Sequence, residues 1–381
     1  MVKTAEVLII GAGVIGCSIA YHLAKSGCHD VVVLEKDSIG SGSTSKCPGG
    51  IRQQFSTEAN IKLSMESVSF FERFEDETGH PADFHQHGYL MLATTEEEAE
   101  IFNSNVSLQR QLGLEIMLLS PEEAREIVPC LDVKDVICAT FCPTDGYADP
   151  YSVVQGFSSA AKRLGVKIYE DTEVINIKAK EGQILGVSTS KAEYMSPVVV
   201  IASGAYAAQV GKMVGLALPI SPLRRHMFVS APSDKVERNT PMVVDFHTGF
   251  WFRREGQGII FGMRNPDETE GFNTSIDWGF LPVIGEVGSH YLPFLKDIGI
   301  ARGQAGLHAD TPDAKAIIGK VSEIDGLYLA CGFSGHGFMH SPAVGKIMAE
   351  LILEGKAGTD ISCFALDRFK KPVSQRERYF I

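Results

Sequence analysis

The chain has 381 residues, and 47 acidic against 35 basic side chains give it a net charge of −12. This acidity, without any block of Lys or Arg, argues against a surface for nucleic acid or anionic lipid. Hydrophobic residues make up 44% of the chain and charged residues 22%, which excludes a disordered protein and is typical of a globular one with two or three structural units.

The first predicted elements form a βαβ unit. Val7–Ile10 predicts a strand, and Cys17–Lys25 has the spacing of a helix. Val31–Leu34 is a continuous apolar run, typical of a parallel strand buried on both faces. A glycine turn, Gly11–Gly16, lies between the first strand and the helix. This order within about thirty residues is that of a βαβ unit.

The middle of the chain predicts polar helices and then a second α/β stretch. Helical spacing with polar composition predicts surface helices at 58–79 and 95–113. The elements predicted next are a helix at 152–164 and strands at 166–169, 173–177, 184–188 and 197–202.

The last third changes character and then returns to βα order. Between 220 and 310, short apolar runs without intervening helices predict an antiparallel sheet. These runs lie at 227–230, 242–245, 250–252 and 258–262. A strand at 326–330 and a helix at 341–354 follow.

The glycine turn predicts a dinucleotide site. Gly11 permits the tight turn, Gly13 lets the backbone approach a pyrophosphate, and Gly16 lets the helix pack closely on the strand. The helix N-terminus then offers free N–H groups and partial positive charge to the phosphates. Glu35 follows Gly16 at the end of the second strand, where a carboxylate can accept hydrogen bonds from ribose hydroxyls.

Two further segments favour FAD over NAD. The loop Lys36–Ser45 is long, small and polar, and can wrap an extended cofactor. Gly332–Phe338 directly precedes a helix, whose dipole favours negative charge on a ring above it. The predicted cofactor-binding residues are Gly11, Ala12, Gly13, Val14, Ile15, Gly16, Glu35, Lys36, Gly42, Ser43, Thr44, Ser45, Gly50, Ile51, Val174, Ser203, Gly204, Gly332, Phe333, Ser334, Gly335, His336, Gly337 and Phe338.

The predicted fold class is α/β plus α+β. The parallel-type elements are split along the chain, which predicts a discontinuous Rossmann-like FAD-binding domain of the glutathione-reductase type, interleaved with an antiparallel-sheet substrate domain. The predicted limits are 1–85, 146–218 and 312–381 for the first domain, and 86–145 and 219–311 for the second, or cap, domain.

At these residues the chain resembles the D-amino-acid oxidase/sarcosine oxidase superfamily of flavoproteins. The matching segments are the opening βαβ unit, Gly40–Ser45 with Gly49–Phe55, the strand that ends at Ser203 and Gly204, and Thr311–Asp313 with Gly332–Phe338. Within the superfamily the chain looks most like the β subunit of heteromeric sarcosine oxidase and of L-proline dehydrogenase, through Gly50–Phe55 and Pro143–Pro150.

The resemblance implies an FAD-dependent dehydrogenase that oxidises the C–N bond of a small secondary amino acid, sarcosine- or proline-like, by hydride transfer to flavin N5. It implies a possible α-type partner subunit or electron-transfer protein, and a second flavin (FMN) at a subunit interface as an open alternative. The other readings are a self-sufficient oxidase that produces hydrogen peroxide and a flavin-bearing subunit for docking and electron transfer.

The chain departs from the family pattern at several positions. The cysteine that attaches flavin in some relatives is here Gly306, so the FAD is expected to be non-covalent, although Cys47 is a conceivable link. Met339 stands at the position where relatives have the lysine that binds the substrate carboxylate. The position of the lysine credited with activating oxygen falls near Ile260, and the loss of that lysine favours a dehydrogenase. Ala148 stands at the position where some β subunits have the histidine that tethers FMN.

Four side chains are the catalytic candidates. Arg52 can grip a carboxylate bidentately or orient the two glutamines after it, or else form a surface or interdomain ion pair. His226 can hold an amine proton or be a structural histidine. His336 is expected to contact flavin mainly through its backbone. His308 stands where related oxidases place a substrate-binding arginine or an aromatic residue.

The remaining expectations concern metal, membrane and compartment. No apolar run approaches the ~20 residues of a membrane span, and the first residues leave no room for a signal peptide. Eight cysteines without a C-x-x-C pair predict a reduced, cytoplasmic protein. Cys138 and Cys142 lack a second pair or a nearby His, so no metal site is predicted.

Overall fold

A computed structural model describes residues 2–372 and 376–378. The strands are β1 (Val2–Thr4), β2 (Val7–Ile10), β3 (Val31–Leu34), β4 (Gly50–Ile51), β5 (Tyr89–Ala93), β6 (Met117–Leu119), β7 (Cys138–Cys142), β8 (Gly146–Tyr147), β9 (Lys167–Tyr169), β10 (Val174–Lys180), β11 (Gln183–Thr189), β12 (Glu193–Met195), β13 (Val198–Ile201), β14 (Ser221–Ser230), β15 (Met242–Asp245), β16 (Trp251–Glu255), β17 (Gly258–Met263), β18 (Ile300–Asp310), β19 (Ile317–Lys320) and β20 (Leu327–Cys331). The helices are α1 (Val14–Lys25), α2 (Glu58–Phe71), α3 (Phe74–Thr78), α4 (Glu96–Gln111), α5 (Pro121–Ile127), α6 (Pro150–Arg163), α7 (Ala207–Lys212), α8 (Leu281–Tyr291) and α9 (Gly337–Glu354).

A six-stranded sheet in the order β19-β20-β13-β2-β3-β9 forms the nucleotide-binding half. Its pairs are parallel except β19 with β20. Both faces of β2 are buried, because Val7 and Ile9 pack in the core under the helices, whereas Leu8 and Ile10 face the core shared with a four-stranded sheet, β1-β12-β11-β10. Helix α1 packs against α6 and α9, and α2 packs against α9.

An eight-stranded sheet in the order β18-β14-β17-β16-β15-β5-β7-β6 forms the second half. It is antiparallel except where β15 pairs parallel with β5, a pairing that the expected antiparallel sheet did not include. One face packs on α5 and α8 through residues such as Phe228, Phe250 and Ile284. A two-stranded ribbon, β4 with β8, links the segments before and after this sheet's first strands.

Several elements differ from the sequence predictions. The single helix predicted at 58–79 is two helices, α2 and α3, and α2 buries its apolar side, including Ile61 and Phe71. Helix α8 lies inside the region predicted to lack helices. Strand β18 was not predicted, since its sequence carries two glycines and charged residues, and its ten-residue pairing with β14 is what makes it a strand. The predicted domain limits stay a prediction; Met1, 373–375 and 379–381 lie outside the described residues.

A buried carboxylate from segment 376–378 caps α2. Glu377 is fully buried and accepts hydrogen bonds from the backbone N–H and hydroxyl of Ser56, from Thr57 Oγ1 and from Asn60 Nδ2. Its own backbone N–H donates to the carbonyl of Asp313. A negative charge at a helix N-terminus is favourable, so this contact joins α2 to the segment after β18.

We expect Glu377→Ala to lower the free energy of unfolding by about 3 kcal/mol, because buried donors left without an acceptor cost roughly 1–3 kcal/mol each and water can satisfy some of them. The urea midpoint measures this loss. Glu354→Ala, an exposed acid at the end of α9, is the control and should stay within about 0.5 kcal/mol of the parent. Equal midpoints for the two variants would contradict the capping role.

Candidate functional site

A cavity of about 620 Å³ lies between the two halves of the molecule. It opens at the carboxyl ends of β2, β3, β13 and β20, where ligands bind in parallel α/β sheets. The predicted cofactor residues that line it are Gly11, Gly13, Val14, Ile15, Glu35, Lys36, Gly42, Ser43, Thr44, Gly50, Val174, Ser203, Gly204, Gly332, Phe333, Ser334, Gly335, His336, Gly337 and Phe338.

Glycines are required sterically at the first turn. Gly11 has φ +108°, and a Cβ there would lie 2.6 Å from the carbonyl oxygen of Ala202. A Cβ on Gly16 would lie 1.9 Å from the carbonyl oxygen of Gly11. The N-cap residue of α1, Gly13, has no side chain that could cap the helix, so N–H groups of the first turn beyond Val14 remain available to an anion. Thr44 Oγ1 accepts the N–H of Val14 at 3.1 Å and ties the following loop to this turn.

Four predicted cofactor residues do not line the cavity. Gly16 packs inside the turn, Ile51 is in the core, and Ser45 is exposed with its hydroxyl on backbone carbonyls. Ala12 is buried, and its N–H donates to Glu35 Oε2 at 2.8 Å. The other oxygen of Glu35 accepts the N–H of Asp37. The carboxylate is therefore fixed by two backbone bonds and keeps lone pairs toward the cavity.

A second open helix N-terminus lines the same cavity. Helix α9 begins after His336 without a side-chain cap. The loop before it holds Gly332, Ser334 and Gly335 at positive φ. The hydroxyl of Ser334 accepts the N–H of Thr311 at 3.0 Å, so the Thr311–Asp313 segment supports this loop. These two helix starts and the cavity volume fit an extended dinucleotide.

The segments Gly50–Phe55 and Pro143–Pro150 are joined through Asp145. This fully buried carboxylate accepts the backbone N–H of Gln53 at 2.8 Å and the side-chain amides of Gln53 and Gln54. Burial raises the pKa of Asp145 to about 6, while these hydrogen bonds oppose the rise. These hydrogen bonds bring Gly50–Phe55 and Pro143–Pro150 together in space, although the two segments lie far apart in the sequence.

Arg52 and His336, two of the four catalytic candidates, meet in the structure. Arg52 is 2% exposed, so it does not lie on the surface. Its guanidinium lies over the ring of Phe55, 4.1 Å from the centroid, and donates to the carbonyl of Gln54 and to Nε2 of His336 at 3.2 Å. Because Arg is always a donor, Nε2 of His336 is an acceptor here. This bond occupies the lone pair of Nε2, which therefore cannot accept a proton while the bond is made.

His226 and His308 lie on opposite faces of the β14–β18 pair. Successive strand residues alternate between faces. His226 packs on Phe280, and its Nε2 accepts the N–H of Asp277 at 3.1 Å. This favours the structural role for His226, whose pKa is lowered mainly by burial. His308 instead faces the glycine-rich loop, where a Cβ on Gly335 would lie 2.6 Å from its Cε1.

Several residues in the cavity lining or beside it were missed by the sequence reasoning. Arg225 and Asp310 share the face of His308 and form an ion pair of 2.9 Å; they were missed because β18 was not recognised. Arg264 also lines the cavity, as does Lys46, whose Cβ would lie 2.8 Å from a Cβ on Gly306. Side chains two residues apart on a strand share a face, so the pairing of β14 with β18 would have placed Arg225 on the same face as His308.

The structure shows the surroundings of the residues at which the chain departs from the family pattern. Desolvation raises the pKa of the Cys47 thiol to about 12, which disfavours the thiolate that a covalent link needs. Met339 lines the cavity, and Ile260 is buried in β17. Ala148 is 1% exposed, and its N–H donates to Gly49. No metal-binding cluster occurs in the described ranges, and no helix there is long and apolar enough to cross a membrane.

Two features define the class of protein: the parallel sheet with its glycine turn, and a cavity lined by the N-termini of α1 and α9. This is a nucleotide-binding flavoprotein fold. A model of the DAO family, described as FAD dependent oxidoreductase, matches residues 6–351. The chain therefore belongs to this family.

Several known proteins are similar to the chain over nearly its full length. L-Proline dehydrogenase from P. horikoshii is 38% identical, with a TM-score of 0.91 over 97% of this chain and 99% of that one. Glycine oxidase from Geobacillus kaustophilus is 27% identical, with a TM-score of 0.86 over 96% and 99%. Mitochondrial dimethylglycine dehydrogenase of Rattus norvegicus is 30% identical over 96% of this chain. The chain spans 45% of that relative's length.

We expect Glu35→Gln to weaken FAD binding about tenfold, because the amide retains the shape but loses the charged acceptor for ribose hydroxyls, an interaction of roughly 1.5 kcal/mol. Fluorescence titration of flavin-free protein with FAD measures the dissociation constant. Glu170→Gln is the matched control, since Glu170 also accepts a loop N–H, from Ile39, but does not line the cavity. Equal affinities for the two variants would refute the role of Glu35.

Proposed function

We propose that this protein is an FAD-dependent dehydrogenase that oxidises the C–N bond of a small secondary amino acid, sarcosine- or proline-like. The observation that carries the proposal is the cavity wall opposite the predicted flavin site, which combines two arginines with apolar side chains. It is supported by the 38% identity to an L-proline dehydrogenase over nearly the whole of both chains.

The wall suits a carboxylate beside a hydrocarbon. Arg264 supplies positive charge for the carboxylate, a role that Met339 cannot perform, whereas Arg225 lines the cavity while paired with Asp310. Met227, Met242 and Trp251 line the cavity from the same sheet and provide an apolar surface for a methyl group or a small ring. One cation and one apolar patch on a rigid sheet orient the carbon next to nitrogen.

FAD, when bound, supplies the acceptor for a hydride from the carbon next to nitrogen. The residues proposed to hold it are the twenty predicted residues that line the cavity, with α1 facing the pyrophosphate and Glu35 facing a ribose. Arg52 holds the segment after β4 and the loop before α9 in register through Gln54 and His336. His308 is placed to accept a proton from the amine of the substrate.

The FAD is proposed to be bound without a covalent link. Gly306 offers no sulfur, and Cys47 has a raised pKa. A second flavin at a subunit interface remains a prediction that the flavin-to-protein ratio tests, as does an α-type partner or an electron-transfer protein that copurification tests. The cytoplasmic location likewise remains a prediction from cysteine usage.

A self-sufficient oxidase is the second candidate, and one observation favours it. Lys46 lines the cavity, so a lysine reaches the site from the loop after β3 even though the family position near Ile260 lacks one. A flavin-bearing docking subunit, the third candidate, predicts a flavin that no small amine reduces.

We expect sarcosine or L-proline to bleach the flavin in anaerobic stopped-flow mixing, because a bound secondary amine presents its C–H to the flavin. The reduced protein should then be reoxidised faster by a dye than by dissolved oxygen. Glycine, which lacks the N-alkyl group that the apolar wall contacts, is the comparison substrate and should react at least about tenfold more slowly, the discrimination available from roughly 1–3 kcal/mol of hydrophobic contact.

Each outcome selects one candidate. Oxygen reoxidation within milliseconds would replace the dehydrogenase by the oxidase, and Lys46→Met would then slow that step alone. A flavin that none of these amines reduces would reject both enzymes in favour of the docking subunit.

A further inference from the structure

Three buried polar atoms without a hydrogen-bond partner cluster at one edge of the cavity. They are Arg225 Nε, His308 Nδ1 and Asp310 Oδ1. Arg225 lies on β14, and His308 and Asp310 lie two residues apart on β18, so all three share the sheet face toward the glycine-rich loop. Unpaired buried polar atoms cost free energy unless something completes them.

Two of these atoms face each other. His308 Nδ1 lies 3.7 Å from Asp310 Oδ1, a few tenths of an ångström beyond a hydrogen bond. At that distance a carboxylate attracts Nδ1 only when Nδ1 carries a proton, because a bare Nδ1 offers a lone pair. Asp310 is itself held by Arg225, whose Nη2 donates to the other oxygen, Oδ2, at 2.9 Å. The order of the array is arginine, aspartate, histidine.

The opposite edge of the imidazole is open. The side chain of His308 keeps 26% of its surface exposed and lines the cavity, although its Nδ1 is enclosed. If Nδ1 carries the proton, Nε2 presents a lone pair to the cavity. Gly335 packs closely against the imidazole ring of His308. A Cβ added to Gly335 would lie 2.6 Å from Cε1 of the ring and 3.2 Å from Nε2, so the ring has little room to turn on that side.

We propose that Asp310 is a positioning residue that holds His308 in the Nδ1–H tautomer, so that His308 Nε2 takes the proton from the ammonium group of the amino-acid substrate. The substrate nitrogen passes from its cationic to its neutral form, and His308 becomes an imidazolium whose charge the Asp310 carboxylate balances. The proton then leaves to solvent. The neutral amine is the form whose adjacent carbon can release a hydride. The inference rests on the proposed function for the substrate, but not for the tautomer.

The burial and charges around His308 keep its free ring neutral, which is the form that can accept a proton. Burial, and then Arg225, hold the pKa of His308 well below its ordinary value, so the ring is neutral at physiological pH. Burial raises the pKa of Asp310 to about 6, against the opposing effects of Arg225, Arg264 and Arg376. Above about pH 6 the aspartate is therefore charged and able to hold the tautomer, and below that pH it is protonated and loses the role.

The first experiment reads the tautomer directly in the flavin-loaded protein without substrate. We expect ¹⁵N-histidine NMR of the flavin-loaded protein to show His308 as the Nδ1–H tautomer, with the signal assigned by its loss in His308→Gln. In Asp310→Asn the side-chain amide can donate to Nδ1, so the Nε2–H tautomer should increase. Asp267→Asn, an exposed acid on the loop after β17, should leave the signal unchanged. An Nε2–H tautomer in the parent protein would overturn the proposal.

The second experiment measures the consequence for the substrate. We expect Asp310→Asn to slow flavin reduction by sarcosine about 100-fold, within the range for loss of a general base, and Asp310→Glu to restore part of the rate. In the parent protein the rate should fall as the pH drops through about 6. Methoxyacetate, in which oxygen replaces the N–H of sarcosine, should bind to both proteins with equal affinity as followed by the flavin spectrum.

The two experiments separate the two claims. An unreduced flavin rejects the proposed function, whereas the NMR result judges the role of Asp310 independently of it. A parent-like rate and pH profile in Asp310→Asn, with sarcosine still reducing the flavin, would overturn the role of Asp310 alone. If Asp310→Asn does not fold, Asp310→Glu and the pH dependence of the His308 tautomer in the parent protein test the role of Asp310 instead. Protonation of Asp310 must change the His308 signal, and a signal that stays constant through about pH 6 would overturn that role.

Discussion

A single buried carboxylate holds together the segments that surround the cavity. Asp145 accepts hydrogen bonds from Gln53 and Gln54, and the carbonyl of Gln54 accepts from Arg52, which in turn donates to His336 at the start of α9. The chain of contacts runs from the β4–β8 ribbon to the helix whose open N-terminus lines the cavity. Because each link is buried, displacing one leaves its neighbour unsatisfied, so the whole arrangement forms as a unit.

The sequence predicted the parts of this fold that local pattern determines. The βαβ unit, the buried strand before Ser203 and the glycine loop before α9 each carry their signal within a few residues, and the chain belongs to the family that these segments suggested. The failures are non-local. Strand β18 exists because β14 pairs with it, and the buried side of α2 exists because α9 covers it, which no periodicity within either segment reveals.

The same limit applies to the catalytic candidates. Residue type and neighbourhood selected both His226 and His308, and both border the cavity, but their side chains point to opposite faces of one strand pair, which only the strand register reveals. Register also aligns Arg225 and Asp310 with His308. The sequence therefore located the cofactor half of the site, where glycines mark close backbone approach, better than the substrate half, where only side-chain direction matters.

The capping of α2 by Glu377 has a consequence for synthesis of the chain. The helix begins at residue 58, yet its cap arrives more than three hundred residues later, and the central strand β2 waits for β20 to complete its sheet. A nascent chain on the ribosome must keep these surfaces uncovered until the last contributing residues emerge. Such long-range closure slows folding, because the entropy of closing the long loop is lost before the late contacts stabilise the sheet.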